Sequence, residues 1–156
     1  MSDGVNGLTR VDGIAGGAVD LHTFKVVGDD TNGALVVAEL DAGPDLGPPP
    51  HVHRHNDESF YILEGTFDFS LAGQAFSAGA GAFVYLPKGV VHTHRAGGGA
   101  PARALVIQTP AGVEHFIAEA GKPAAQPSVR PAPPEMSELG NIVAIAQRYG
   151  IEVPPG

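Results

Sequence analysis

The sequence predicts a single all-β domain, a small barrel or sandwich of short strands, followed by a short C-terminal helix. Three observations carry this. Short apolar runs recur at roughly regular intervals along the first two thirds of the chain. The 22 glycines and 14 prolines fall mostly between those runs, where they act as turns rather than as breaks in a helix. Near the C-terminus the apolar pattern changes to a helical period. At 156 residues the chain has room for one such domain, and no internal repeat suggests a second.

The first strands are expected over Val19 to Val27 and Ala34 to Leu40, with Asp30, Thr31, Asn32 and Gly33 supplying the positive-φ residues a hairpin favours. Gly43 to Pro50 reads as an extended, Pro-rich approach to a strand carrying His51 and His53. Further strands are expected at Ser59 to Leu63, Thr66 to Leu71, Ala75 to Phe76, Ala82 to Leu86, Val91 to Arg95 and Ala102 to Gln108. Val113 to Ala120 suits one short helix, and Lys122 to Pro134 is a Pro/Ala-rich linker. From Glu135 to Tyr149, apolar residues at Met136, Leu139, Ile142, Val143, Ala146 and Tyr149 form an amphipathic stripe, with Gly150 at the C-cap. The stripe needs a partner surface, either the outside of its own barrel or a second subunit. The expected organisation is thus an N-terminal tail over residues 1–16, a barrel over 17–120, a linker over 121–134 and a helix over 135–150.

Composition narrows the chemistry. With no cysteine, disulfides, zinc fingers, thiolate catalysis and iron–sulfur clusters are excluded, so a metal site must use nitrogen and oxygen ligands. A formal charge of −8 with nine Lys plus Arg and no basic cluster argues against nucleic acid. The N-terminus lacks a basic start followed by an apolar run, and no apolar stretch approaches the ~18 residues of a membrane span. A cytoplasmic protein with no membrane partner is expected.

Seven histidines supply the candidate ligands. Residues two apart on a strand share a face, so His51 and His53 can converge on one point. Glu58 opens the next strand and can swing its carboxylate beside them. Far along the chain, His92 and His94 form a second pair able to add an imidazole from across the barrel. Three neutral imidazoles and a carboxylate suit one divalent transition ion (Fe, Mn, Ni, Co, Cu or Zn) and leave positions for substrate, dioxygen or water.

His51 to Gly65, HVHRHNDESFYILEG, and Gly81 to His92, GAFVYLPKGVVH, resemble the two sequence motifs of the cupin superfamily. His51, His53, Glu58 and Gly65 match the first motif; Gly81, Pro87, Gly89 and His92 match the second. The resemblance covers roughly Val19 to Gln108. It implies a small jelly-roll barrel with His51, His53, Glu58 and His92 on the metal. Two positions depart from the pattern: Asp45 stands where a Gly is expected and Ala96 where an Asn is expected. His55 or His94 could instead enter the ligand set or bind substrate. Phe60 and Ile62 share the parity of Glu58 and are expected to wall the cavity, although core packing explains them equally well. Tyr85 and Gln108 could orient polar groups, although a Tyr whose hydroxyl reaches solvent and a Gln at a strand end are commoner, while His22 and His115 read as surface residues.

PPPHVH, DESFYILEG and the ending AQRYGIEVPPG resemble the short single-domain proteins related to quercetin 2,3-dioxygenase. That resemblance implies a dioxygenase for a flavonol-like or other enolisable aromatic molecule, with Glu58 both holding the metal and accepting the substrate's hydroxyl proton. A redox-neutral metal-dependent cyclase, isomerase or lyase, or a non-catalytic small-ligand binder, are the alternatives a cupin fold also admits. Homodimers are the family-level expectation.

Overall fold

The computed structural model describes residues 13–16, 20–123 and 134–155. The strands run β1 (Gly13–Gly16), β2 (Asp20–Val26), β3 (Val36–Ala42), β4 (Val52–His53), β5 (Asp57–Glu64), β6 (Thr66–Leu71), β7 (Gln74–Gly79), β8 (Phe83–Leu86), β9 (His92–Ala96), β10 (Ala102–Thr109), β11 (Lys122–Pro123) and β12 (Ile151–Glu152). Among the described residues a 3-10 turn spans Gly28–Asp30, and two α-helices follow the barrel strands, α1 (Val113–Ala120) and α2 (Met136–Arg148). A seven-stranded sheet has the order β11-β1-β2-β3-β10-β5-β8, a three-stranded sheet the order β7-β6-β9, and β12 pairs with β4. Every strand pair is antiparallel.

Alternation explains the core. Leu40 and Ala42 on β3, Phe60 and Ile62 on β5, Val84 and Leu86 on β8, and Ala104 and Val106 on β10 turn inward from the large sheet. Phe67 and Phe69 on β6 and Ala96 on β9 meet them from the small one. The rings of Phe60, Phe67 and Phe69 stack edge to face or tilted, with centroids 5.2 to 6.1 Å apart. The fold is thus the expected cupin jelly roll.

The hairpin between β2 and β3 turns on Asn32 (φ 53°) and Gly33 (φ 79°), where positive φ was expected. Asp45, which stands where the motif has Gly, adopts the left-handed conformation (φ 57°) that Gly and Asp tolerate. Its Oδ1 accepts a bond from Gly99 N. Next to it, Gly47 lies so close to β9 that a Cβ would sit 1.9 Å from the His94 carbonyl oxygen.

Two boundaries differ from the sequence reading. Gly13–Gly16, assigned to the tail, form β1 against β2, and Lys122–Pro123, assigned to the linker, pair with Ile14 and Ala15. The rest of the predicted tail and linker, residues 1–12 and 124–133, lies outside the described residues. The two segments extend the large sheet because each meets an unpaired edge, which local composition does not reveal.

Helix α2 packs on its own barrel. Ile145, which the predicted stripe omitted, and Ala146 are buried. Ala146 joins Phe24, Val36, Ala38, Val113, Ile117 and Ile151 in a second apolar cluster. Full burial of a side chain such as Ile145 contributes about 1.5–3 kcal/mol. Gly150 ends the helix at φ 74°, and the chain then returns as β12 beside β4. Arg148 and Tyr149 both hold Glu119 at the end of α1, and Arg54 holds Glu152. Met136 and Leu139, at the start of the helix, stay exposed.

Candidate metal centre

A backbone bridge between His51, just before β4, and His92, the first residue of β9, builds the centre. His51 and His92 exchange both backbone hydrogen bonds (2.9 and 3.0 Å), which places their side chains on one face. His53 lies two residues further along that face. Glu58 arrives on β5, directly opposite Gln108 of β10 and Leu86 of β8. The four side chains are buried, and one ligand atom from each lies within 4.8 Å of the others.

A metal–ligand bond of about 2.1 Å puts neighbouring donors roughly 3–3.5 Å apart. Glu58 Oε2 lies 3.0 Å from His92 Nε2 and 3.3 Å from His53 Nε2, within that range. The outer hydrogen bonds make the stronger test. His51 Nδ1 donates to the Pro49 carbonyl (2.8 Å) and His92 Nδ1 to the Val90 carbonyl (3.2 Å). Each bond leaves the Nε2 lone pair facing the centre, the orientation a metal-bound imidazole needs. At His92 that lone pair confronts a carboxylate oxygen at 3.0 Å, an arrangement that a cation between them satisfies. His53 Nδ1 is buried and finds no partner among the described residues.

Electrostatics point the same way. Burial, then the neighbouring His53 and His92, pushes the His51 imidazole down to about 3, so it is neutral and able to bind metal at physiological pH. Burial raises the Glu58 carboxyl, but the charges and hydrogen bonds of His53 and His92 outweigh it and hold the group well below the usual carboxylate range. Gln108 Nε2 donates to Glu58 Oε1 (3.3 Å), leaving Oε2 for the imidazole side. These residues could hold one metal ion.

The other predicted site residues divide. Gln108 and His94 line the same cavity as His51, His53 and Glu58. Phe60 and Ile62 do not wall it: both are fully buried in the core, although the Phe60 ring packs on His94 at 4.9 Å. Tyr85 faces outward beside Asp57, because Val84 and Leu86 take the inward positions of β8. His55 is exposed and packs against Gly150. His115 is exposed as expected, whereas His22, read as a surface residue, lines the cavity. Burial lowers its imidazole pKa despite the nearby Asp20.

Sequence reasoning missed Asp20 and the roof. Asp20, His22 and Phe24 alternate along β2, and two polar residues at the parity of a core Phe were the available signal. The roof is α2, which contributes Leu139, Ile142, Val143 and Ala146, together with Phe116 and Ile117 of α1. The cavity measures about 160 Å³, is overwhelmingly apolar at this end, and has no Lys or Arg in its wall among the described residues.

Fold and site together define a cupin-type barrel with a buried His₃Glu cluster. Residues 36–108 match the Cupin_2 family model, described as a cupin domain. That match and the fold support a place in the cupin superfamily. Among solved structures, the chain is similar to a predicted oxalate decarboxylase from Thermotoga maritima, at 18% identity and TM-score 0.58, covering 66% of this chain and 98% of that one. It is also similar to KdgF from Halomonas sp. (16%, TM-score 0.53, covering 62% and 83%) and to the cupin domain of Schizosaccharomyces pombe Cnp3 (14%, TM-score 0.54, covering 62% and 68%). At these identities the likeness establishes the fold alone. No curated protein matches the sequence.

Proposed function

We propose that the protein is a metal-dependent enzyme acting on a small, largely apolar aromatic molecule that can form an enolate, with dioxygen as co-substrate. The observation that supports it most is the junction of the His₃Glu cluster with an apolar cavity of about 160 Å³. Cavities of about 150 Å³ take a benzene ring. One aromatic ring therefore fits beneath α2, and a three-ring flavonol would extend beyond it. Asp20 and Glu58 line the cavity and, among the described residues, no Lys or Arg does, so an oxalate-like dianion would have the metal ion alone as its counter-charge.

A divalent first-row ion held by His51, His53, Glu58 and His92 would supply Lewis acidity and, if redox-active, a route for dioxygen to react with an enolate. The chain's own groups do the rest. Gln108 fixes the rotation of the Glu58 carboxylate, whose Oε2 accepts the proton of the substrate hydroxyl. The α2 side chains Ile142, Val143 and Ala146 exclude water from the ring.

Oxygen uptake by protein loaded separately with iron, manganese, nickel, cobalt or copper tests this, using catechol and 3-hydroxyflavone as one-ring and three-ring substrates. Uptake matching substrate consumption is expected. Conversion of substrate without loss of oxygen would establish redox-neutral chemistry instead.

A further inference from the structure

Beside the metal cluster, the cavity contains a second group of polar side chains that the proposed reaction does not use. Asp20 and His22 occupy alternate inward positions of β2, and His94 faces them from β9. Asp20 and His94 are 3% and 7% exposed, and His94 Nε2 lies 3.4 Å from Asp20 Oδ2. Their remaining polar atoms, Asp20 Oδ1 and His94 Nδ1, are buried with no partner among the described residues. Buried polar atoms are nearly always satisfied, so these two orphans, both on side chains that line the cavity, indicate a missing group.

The chemistry of that group follows from the atoms. Nε2–H of His94 directed at Asp20 Oδ2 leaves a lone pair on His94 Nδ1, and Asp20 Oδ1 carries lone pairs of its own. Each orphan can thus accept a hydrogen bond. An anion is repelled by Asp20, and no Lys or Arg in the wall offsets it among the described residues. An ammonium would have to leave water for an otherwise apolar cavity. A hydroxyl donates to Asp20, and its oxygen can accept an N–H from the neutral imidazole of His22.

We infer that Asp20, with His22 and His94, is a second polar subsite of the cavity and receives a hydroxyl group on the substrate's ring, apart from the group presented to the metal. The inference rests on the cavity being the substrate site. It narrows the substrate to a ring carrying at least one hydroxyl beyond the enolisable one.

The test compares phenol with toluene, a pair of nearly equal shape, binding to zinc-loaded protein, followed by NMR at the ring protons of His22 and His94. Phenol should bind about tenfold more tightly or better, the worth of one hydrogen bond to a buried carboxylate. Asp20→Leu should abolish that preference and leave toluene binding unchanged. Asp20→Asn, which keeps an acceptor and tests the point should the Leu variant not fold, should reduce the preference about threefold or more. Equal binding of phenol and toluene to the native protein would overturn the inference and leave an ordered water as the group's partner. A preference that persists in the Asp20 variants would overturn it too, by assigning the phenol to the zinc. Because zinc does no oxygen chemistry, loss of oxygen uptake in the earlier assay and loss of the phenol preference are separate failures.

Discussion

Gln108 donates its side-chain N–H to Glu58 Oε1 across directly opposed positions of β10 and β5, so the register of these strands helps to fix the carboxylate's rotation. Gln108→Leu should retain one metal equivalent and lower turnover about tenfold, because the carboxylate then rotates among orientations of which few suit proton transfer. Steady-state kinetics with metal analysis checks this. Unchanged turnover would show that packing alone orients Glu58.

Glu58→Gln should keep part of the metal, since three imidazoles remain, and lower turnover about 100-fold or more by removing the proton acceptor. Full activity in that variant would remove Glu58 from the mechanism.

Acid should destabilise the metal-free protein. His51 binds a proton near pH 3 when folded and near 6.5 when unfolded, so between those values the unfolded chain holds more protons. The stability His51 contributes is complete above about pH 6.5 and is lost as pH falls toward 3, at up to about 1.4 kcal/mol per pH unit. His22, also lowered by burial, acts in the same direction, and Glu58 adds to it below its unfolded value of 4.5. Urea midpoints of chelated protein should fall between pH 7.5 and 5. A flat profile would contradict the buried, neutral state of these imidazoles.

Gly47→Ala tests the loop that leads into the centre. Its Cβ would collide with the His94 carbonyl and touch Arg95, so the loop must move off β9. A loss of about 1–3 kcal/mol is expected, the usual cost of overpacking, read as a lowered Tm. Weaker metal binding should accompany it, because Pro49 of the same loop orients His51. A Tm within a degree of the native value would mean that the loop is not held against β9.

Much of this was legible before the structure. Thr66 to Leu71 and Val113 to Ala120 have the bounds read from pattern alone, because turn residues or a change of period mark both ends. The cluster that could hold a metal was legible through spacing: His51 and His53 share a face by strand geometry, and the motif match pointed to His92 rather than His94. What pattern left open or misread depended on pairing. Tyr85 lies outside and Val84 inside because the pairing of β8 with β5 sets parity, and one residue of register reverses every side chain. His22 looked like a lone surface histidine until β2 was placed across from β9. The helical stripe of α2 showed that it would bury a face, but periodicity does not say that the surface beneath is the mouth of the cavity.

The most direct test of the central claim is the metal content of untagged protein, purified without chelator, beside the His51→Ala, His53→Ala double variant, by elemental mass spectrometry. About one equivalent of a first-row transition ion in the native protein, lost in the variant, is the predicted result. No metal in either protein, or equal metal in both, would contradict the assignment of His51, His53, Glu58 and His92 as its ligands.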